Sequence, residues 1–191
     1  MLKDLITSRV RIKILTLLLS KPDQMYHVRE IVRQIDEEIN AVRRELLHME
    51  KNAMVVKEPR ANRLFYTFRK SYSLYFELLE LIAKTTGLGG EILKNKAKIG
   101  KIKFVMFSGK FVRNLTQSPG SVDILVVGTV VLPELAQLVR IEENRRGREI
   151  NYTVMSEEEF IFRKRRRDPF ILGVFSGARL MIIGDEEELV S

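Results

Sequence analysis

Cysteine is absent from this chain of 191 residues, and histidine occurs only twice, as His27 and His48. The lack of cysteine excludes disulfides, thiolate metal sites and a cysteine nucleophile. Two histidines are too few for a histidine-rich metal centre. We therefore expect no metal site and no cofactor bound through such ligands.

Long apolar runs are also lacking. The best candidate, Ile12 to Leu19, is too short to cross a bilayer and is interrupted by Lys13 and Thr16. The first residues do not have the pattern of a secretion signal. A composition of 45% hydrophobic and 30% charged residues is typical of a folded protein. We expect a cytoplasmic protein that does not associate with a membrane.

Positive charge is concentrated in the first third of the chain, although the formal net charge of the whole is +8. Residues 1–70 contain 15 Lys and Arg against 9 Asp and Glu, a net charge of +6. Residues 71–100 contain 4 against 3, and residues 101–191 contain 14 against 13. Binding to the phosphates of a nucleic acid requires a basic region of this kind.

The N-terminal 70 residues show three helical patterns followed by a hairpin pattern. The helical patterns run from a capping Ser8 to about Leu19, from Tyr26 to Ile35 and from Glu38 to Lys51. Met54 to Phe68 then reads as a basic β-hairpin with its tip at Pro59 to Arg63. This order predicts a winged helix-turn-helix in which residues 55–68 form the wing.

The third helix carries the residues that would read DNA. Val42 and Leu46 turn inward, whereas Asn and Arg on the outward face can make bidentate contacts to adenine and guanine in the major groove. Cations around the hairpin tip would contact backbone phosphate or the minor groove. We therefore predict seven DNA-binding residues, with alanine included because it permits close approach: Asn40, Ala41, Arg43, Arg44, Lys57, Arg60 and Arg63. The alternative is an ordinary surface helix whose charges are only solvated.

Residues 8–68 resemble the winged-helix transcriptional regulators of the arsenic-repressor-like class. The resemblance rests on Asn40 to Leu46 and on the turn Asn52 to Val55 that follows. The family has glycine where this chain has Ala53. Its members usually dimerise and bind near-palindromic operators, which implies a homodimer with double-stranded DNA as its partner. Their metal sensing is not implied, because the cysteine ligands are absent.

Segment 71–100 is predicted to link two domains and to provide a dimer interface. A helix that begins at Ser71 is apolar over more of its circumference than an exposed helix, so residues 72–84 are expected to pack against a second copy. Gly87 to Gly90 would break this helix, and Glu91 to Lys98 would form a connecting helix. The predicted domains are 1–70, 71–100 and 101–191.

The second half of the chain alternates between strand and helix patterns, which predicts a small α/β domain and an α+β fold for the whole chain. The predicted strands are Ile102 to Phe107, Asp123 to Val127, Glu149 to Met155 and Arg179 to Ile183. The predicted helices are Pro133 to Arg145, Ser156 to about Arg166, and Pro169 to Phe175.

Residues 87–191 resemble the minimal nucleotidyltransferase domain of the polymerase-β-like superfamily. The resemblance rests on three segments: Phe104 to Gly109, Ser121 to Gly128 and Arg148 to Tyr152. In active members, a Gly-Ser pair contacts the triphosphate and three aspartates hold two divalent ions. Here the pair is reversed as Ser108-Gly109, and Asp123 is the one acid kept, with Ser121 and Asn151 at the other two positions. The resemblance therefore implies a vestigial nucleotide site without catalytic residues or metal, in a domain that serves for sensing or interaction.

Two other functions remain open at this stage. One is an active nucleotidyltransferase that uses Mg²⁺ and a nucleotide and is targeted by the winged helix. The other is an antitoxin-like protein that binds a partner through its C-terminal domain, so both a nucleotide and a protein are candidate partners there. The basic run Arg163 to Arg167 is either a second phosphate-binding surface or a solvated helix end whose cations suit the helix C-terminus.

Overall fold

The computed structural model describes residues 5–115 and 120–191. The fold is α+β, and the chain divides into two compact units, Met1–Thr85 and Thr86–Ser191. The boundary lies inside segment 71–100, so the helices of that segment are shared between the two units. In the part of the chain that is described, no helix combines the length and the apolar character needed to cross a bilayer.

The N-terminal unit combines helices with a small antiparallel sheet. In chain order its elements are α1 (Arg9–Ser20), β1 (Tyr26–His27), α2 (Val28–Ile35), α3 (Ile39–Lys51), β2 (Val55–Arg60), β3 (Arg63–Phe68) and α4 (Tyr75–Thr85). The predicted order of three helices followed by a hairpin is confirmed.

Caps and apolar stripes explain the three helices before the hairpin. The Ser8 hydroxyl accepts a hydrogen bond from the Arg11 amide (3.2 Å), as predicted for the start of α1. The Glu38 carboxylate accepts one from the Ala41 amide (2.9 Å) at the start of α3. The helices bury these residues in the core: Ile14, Leu15, Leu18 and Leu19 of α1, Ile31 and Ile35 of α2, and Val42, Leu46 and Met49 of α3.

Glu45 joins α3 to α1. Its carboxylate accepts hydrogen bonds from the Ser8 hydroxyl (2.6 Å) and from Nε of Arg11 (2.8 Å). Burial raises the pKa of the Glu45 carboxyl, but the hydrogen bonds and the charge of Arg11 outweigh it and hold this pKa below its usual value. Glu45 therefore belongs to the internal framework of the unit rather than to its outer face.

The turn between α3 and β2 contains a strained residue. Ala53 has φ of +57°, a left-handed conformation that glycine adopts freely and alanine adopts at a cost. This is the position at which the resembling family has glycine, so the departure noted in the sequence has a conformational cost.

The small sheet has the order β1-β3-β2, and Tyr26 and His27 require a correction. They were predicted to begin the second helix, but they pair with Tyr66 and Phe65 of β3 as a two-residue strand. The His27 ring then accepts a hydrogen bond from the Glu30 amide (3.3 Å) and so caps α2. Because β3 is distant in sequence, the local helical pattern could not reveal this pairing.

The two strands of the hairpin are longer than predicted, and its tip is correspondingly shorter. Pro59 and Arg60, predicted at its tip, belong to β2, and Arg60 pairs with Arg63 across a two-residue turn. A proline is tolerated there because β2 is an edge strand and its missing N–H leaves no neighbour unpaired.

Helix α4 begins at Tyr75 rather than at the predicted Ser71. The residues between them form turns, and the Tyr72 ring packs edge-on against Phe68 with centroids 6.0 Å apart. The residues of α4 that are buried within the unit are Tyr75, Leu79 and Ile82.

The C-terminal unit is built around one mixed sheet. In chain order its elements are α5 (Gly87–Lys94), α6 (Lys96–Ile99), β4 (Gly100–Ser108), α7 (Gly109–Val112), β5 (Ile124–Val130), α8 (Leu132–Arg146), β6 (Tyr152–Met155), α9 (Glu157–Arg165), α10 (Pro169–Phe175), β7 (Arg179–Ile183) and α11 (Glu186–Val190). The sheet order is β6-β5-β4-β7, in which β5 and β6 are parallel and the other two pairs are antiparallel.

Both faces of this sheet are buried. One face packs on α9, α10 and α11 through a cluster of apolar residues: Phe104, Met106, Leu125, Val127, Met155, Phe160, Ile171, Met181 and Leu189. Alternate strand residues point to the opposite face and are buried there as well: Val105, Phe107, Ile124 and Val126. A sheet covered on both sides is consistent with the near-continuous apolar runs of β4 and β5.

Gly87 to Gly90, predicted to break a helix, instead form the first turn of α5. Gly89 and Gly90 are buried, and a side chain on Gly87 would come within 2.7 Å of the Arg145 guanidinium. Small residues thus allow α5 to pack closely on α8, and this packing outweighs the weak helix propensity of glycine.

Glu149 to Asn151, predicted to begin the third strand, precede β6, which starts at Tyr152. The Ile150 amide donates to the Glu143 carboxylate (2.9 Å), and the Asn151 amide donates to the Asp123 carboxylate (3.1 Å). These carboxylates therefore accept hydrogen bonds from amides that would donate to a neighbouring strand if β6 began earlier.

Candidate nucleic-acid interface

The outer face of α3 is exposed as the sequence predicts. Asn40, Arg43 and Arg44, which we call the reading face, are exposed, and the neighbouring Ala41 is half-buried. The inward residues of the same helix fill the core and hold it in a fixed rotation about its axis.

Among the described residues, none forms an ion pair with the arginines of the reading face. Within residues 5–115 and 120–191, neither Arg43 nor Arg44 forms an ion pair or a hydrogen bond through its guanidinium. Glu45, the nearest acid in sequence, is bound to Ser8 and Arg11. Glu38 is engaged as the cap, and the amides of Asn40 and Ala41 hold the pKa of its carboxyl below its usual value. The two guanidinium groups are therefore available to an external acceptor.

The three cations predicted on the wing differ in availability. Lys57 forms an ion pair with Glu50 of α3 (2.7 Å), and this hydrogen bond raises the pKa of the lysine. Arg60 pairs with Glu58 (2.8 Å). Arg63 is exposed and has no ion pair among the described residues. Arg63 could therefore contact a phosphate without first breaking an ion pair with a described residue.

A groove of about 500 Å³ lies within the N-terminal unit between α2, α3 and the wing. Arg43 and Arg63 of the predicted set line it, and no carboxylate does so among the residues described. Seven further lining residues were not predicted as part of the site: His27, Val28, Arg29, Leu47, Asn62, Leu64 and Tyr66. Leu47 follows Arg43 by one helical turn, so helical spacing could have identified it, whereas the others reach the groove only through tertiary folding.

The predicted vestigial nucleotide site divides into two parts, of which the first surrounds Ser108 and Gly109. The Ser108 hydroxyl accepts a hydrogen bond from the Phe111 amide (3.2 Å) and caps the four-residue helix α7. A side chain on Gly109 would lie 2.8 Å from the Ala178 carbonyl oxygen. Close packing against the start of β7 therefore accounts for this glycine without a bound phosphate.

The second part surrounds Asp123, which is 1% exposed. Its carboxylate accepts a hydrogen bond from the Asn151 amide (3.1 Å) and lies 3.6 Å from the Arg148 guanidinium. We call Asp123, Arg148 and Asn151 the Asp123 cluster. Its acid is occupied by protein groups, and no group of three or more metal-ligating side chains is found in the described ranges.

A second groove, of about 590 Å³, lies in the C-terminal unit. Ser108, Gly109 and Ser121 of the predicted site line it together with Lys110 and Arg113. Asp123 and Asn151 do not belong to the described lining. The structure brings the strand-end residues Ser108, Asp123 and Asn151 to the same end of the sheet, where the backbone of Asp123 bonds to Ser108 (2.8 Å) and Asn151 (2.7 Å). Three of the five predicted residues line the groove, whereas Asp123 is buried and Asn151 is exposed outside the lining.

Buried charges also stabilise the region behind this groove. Glu142 is 3% exposed and pairs with Arg145 (2.9 Å) and Arg146 (2.7 Å). Burial lowers the pKa of the Arg146 guanidinium, which stacks 4.0 Å from the Phe111 ring centroid and donates to the Phe111 carbonyl (3.0 Å). This network fixes α7 against the end of α8.

The basic run 163–167 also has internal partners. Arg163 pairs with Glu159 (2.8 Å), and Lys164 donates to the Leu189 carbonyl (2.8 Å). Arg166 lies 5.3 Å from the Phe162 ring centroid. These contacts favour the interpretation as a helix end over that of a phosphate-binding surface.

Comparison with known proteins adds little. No family model matches the chain, and no curated protein matches it. The structure of reduced HlyU from Vibrio cholerae N16961 is 23% identical over 44% of this chain and 82% of that chain, with a TM-score of 0.36. At this degree of similarity the match supports no conclusion about function, which has to rest on the geometry of the chain itself.

Proposed function

We propose that this chain is a DNA-binding transcriptional regulator whose N-terminal unit is a winged helix. Helix 38–51 reads the major groove, and wing 55–68 contacts the DNA backbone. The observation that carries the proposal is the reading face, where Asn40, Arg43 and Arg44 are exposed and their side chains form no hydrogen bond or ion pair with any residue that the structure describes. We expect the protein to act in the cytoplasm.

The side chains of the reading face have the hydrogen-bonding groups that can recognise base edges. Arginine binds the O6 and N7 atoms of guanine with two hydrogen bonds, and asparagine binds adenine in the same way. Phosphate contacts from Arg63 and neighbouring cations would set the orientation of the unit without reading sequence. The acid-free groove between α3 and the wing supports this division of roles.

Selection from a pool of randomised duplexes with the full chain tests the proposal. We expect enrichment of defined sequences, and an affinity that falls steeply with salt because bound cations are released from the phosphates. Failure to enrich any duplex, with affinity equal for all sequences, would contradict the proposal.

Variants then separate base reading from phosphate binding. Arg44→Ala should relax preference at one base pair. Arg63→Ala should weaken all duplexes alike and reduce the slope of log affinity against log salt by about 0.9. Lys57→Ala should change that slope less, because Lys57 is already paired with Glu50. Arg140→Ala, an exposed arginine of the C-terminal unit, is the matched control.

Dimerisation through residues 72–84 is part of the proposal. Leu74, adjacent to the start of α4, is 50% exposed, and Phe76 is 51% exposed. Burying such side chains between two copies would stabilise a dimer suited to a palindromic site. Sedimentation equilibrium of the full chain and of Leu74→Glu tests this: the variant should shift towards monomer, and an unchanged mass would argue against this interface.

We propose that the C-terminal unit is an inactive nucleotidyltransferase-like domain that senses a ligand or binds a partner. The engagement of Asp123 with Arg148 and the Asn151 amide supports inactivity, because two metal ions would need this acid and two more. The groove lined by Ser108, Gly109 and Ser121 supports ligand sensing.

Incubation of the full chain with labelled nucleoside triphosphates and Mg²⁺ or Mn²⁺ tests the absence of transfer. We expect no labelled product. Transfer that disappears in Asp123→Asn would establish the alternative of an active enzyme targeted by the winged helix.

A further inference from the structure

Leu47 is a large apolar residue on the DNA-facing side of α3. It is 59% exposed, whereas Leu46, the residue beside it, is 1% exposed in the core. Residues four apart on a helix are neighbours, so Leu47 adjoins Arg43 on the helix surface. The side chain is not needed for the core of the unit, which the inward residues of α3 already fill.

The surroundings of Leu47 are cationic. Arg29, Arg43 and Arg63 line the same groove of about 500 Å³, and no carboxylate lines it among the described residues. Leu64, at 42% exposure, is a second apolar lining residue. The three guanidinium groups favour a partner with a negatively charged surface. The apolar Leu47 side chain in the same groove favours an apolar group on that surface.

In the major groove, one base edge carries an apolar group, the 5-methyl of thymine. Resting on the proposed function, we infer that Leu47 is a specificity-determining residue that contacts the 5-methyl group of a thymine about two base pairs from the one bound by Arg43. Four residues of helix span about 6 Å, which corresponds to roughly two base-pair steps. The preferred site therefore contains a guanine bound by Arg43 with a thymine about two base pairs away.

Removal of single methyl groups from DNA tests this inference. The duplex most enriched by the full chain is synthesised with each thymine replaced in turn by uracil, which removes only the 5-methyl group. Affinities are measured at fixed salt for the wild type, Leu47→Ala and Leu132→Ala. Leu132 is a matched control, a leucine of the C-terminal unit with 55% exposure.

We expect one uracil position to weaken binding by the wild type and by Leu132→Ala about four-fold, the effect of one buried methyl group. The same replacement should leave the affinity of Leu47→Ala unchanged. Equal uracil sensitivity in the wild type and Leu47→Ala would overturn the inference, as would an enriched duplex to which the wild type binds without any uracil sensitivity. Both results leave DNA reading by the N-terminal unit intact. Absence of any enriched duplex would instead overturn the proposed function together with the inference.

Discussion

The reading face and the Asp123 cluster contain the same kinds of charged side chain but use them in opposite ways. On the reading face, Arg43 and Arg44 are exposed and have no ion pair within the described ranges. In the Asp123 cluster, a carboxylate with 1% exposure is held by the Asn151 amide and lies 3.6 Å from Arg148. A buried charge that protein groups hold is not available to a ligand, whereas an exposed charge that only water solvates is available.

The same difference distinguishes the winged-helix resemblance from the nucleotidyltransferase resemblance, although both are similarly visible in the sequence. The winged-helix resemblance rests on residues that remain available for binding. The nucleotidyltransferase resemblance rests partly on residues whose contacts are structural: the Ser108 cap, the Gly109 packing position and the buried Asp123. The first resemblance therefore supports a function, and the second supports a fold more than an activity.

The largest effect is expected from Asp123→Ala. Removing one partner of a buried charge pair leaves Arg148 without its counter-charge and the Asn151 amide without its acceptor, which costs about 3 kcal/mol. Urea unfolding followed by circular dichroism should show this loss in the C-terminal unit, and Asp123→Asn should lose less because it keeps an acceptor oxygen. If Asp123→Ala is as stable as the wild type, the Asp123 cluster does not stabilise the C-terminal unit, and the contrast between this cluster and the reading face is contradicted.

Arg43→Ala should weaken binding to the enriched duplex by about 2 kcal/mol, roughly thirty-fold, because a bidentate contact to guanine is lost. Its melting temperature should remain that of the wild type, since the guanidinium forms no ion pair or hydrogen bond with the residues described. Fluorescence anisotropy at fixed salt measures the affinity, with Arg140→Ala as control. If the melting temperature falls together with the DNA affinity, Arg43 contributes to the stability of the fold, which contradicts the contrast between the reading face and the Asp123 cluster.

Glu45 tests whether a charged residue of α3 can be structural while its neighbours read DNA. Its pKa is lowered in the folded protein, so its contribution is present above the unfolded pKa near 4.5 and is lost as pH falls through the lower folded pKa. Glu45→Gln should destabilise the N-terminal unit by about 1.5 kcal/mol at pH 7 and by much less below pH 4. Thermal unfolding at both pH values measures this, and a loss of equal size at both would exclude the charge as its cause.

The smallest effect is expected from Ala53→Gly, which concerns the turn that places the wing. Glycine relieves the left-handed strain at φ +57° but adds freedom to the unfolded chain, so the net gain is about 0.5 kcal/mol. The melting temperature should rise by roughly 3 °C. DNA affinity should be unchanged, because the position lies outside the reading face. A lower melting temperature would mean that the turn is not strained.

Local signals in the sequence predicted much of the fold. The caps at Ser8 and Ser156 and the bounds of Pro169–Phe175 and Arg179–Ile183 follow from capping and periodicity, and the structure has them where the sequence placed them. The exposure of Asn40, Arg43 and Arg44 followed from helical spacing in the same way.

Features that depend on distant partners could not be predicted. Tyr26 and His27 become a strand because β3 lies beside them, and Gly87 to Gly90 become helical because α8 packs there. The pairing of Lys57 with Glu50, and that of Asp123 with Arg148, also joins residues that sequence patterns treat separately. For the candidate site, the same limit hid Arg29 and Leu64, which reach the groove only when the wing folds.

His27 connects two parts of the N-terminal unit that would otherwise move separately. Its ring closes the first turn of α2, while its backbone pairs with Phe65 of the wing and its ring lies edge-on to Phe65, with centroids 5.7 Å apart. A swing of the wing would have to unpair this residue and uncap the helix. These contacts therefore fix the distance between wing and reading face. If the unit binds DNA as proposed, a duplex whose groove width differs has to deform to fit, and DNA flexibility becomes a determinant of the preferred site.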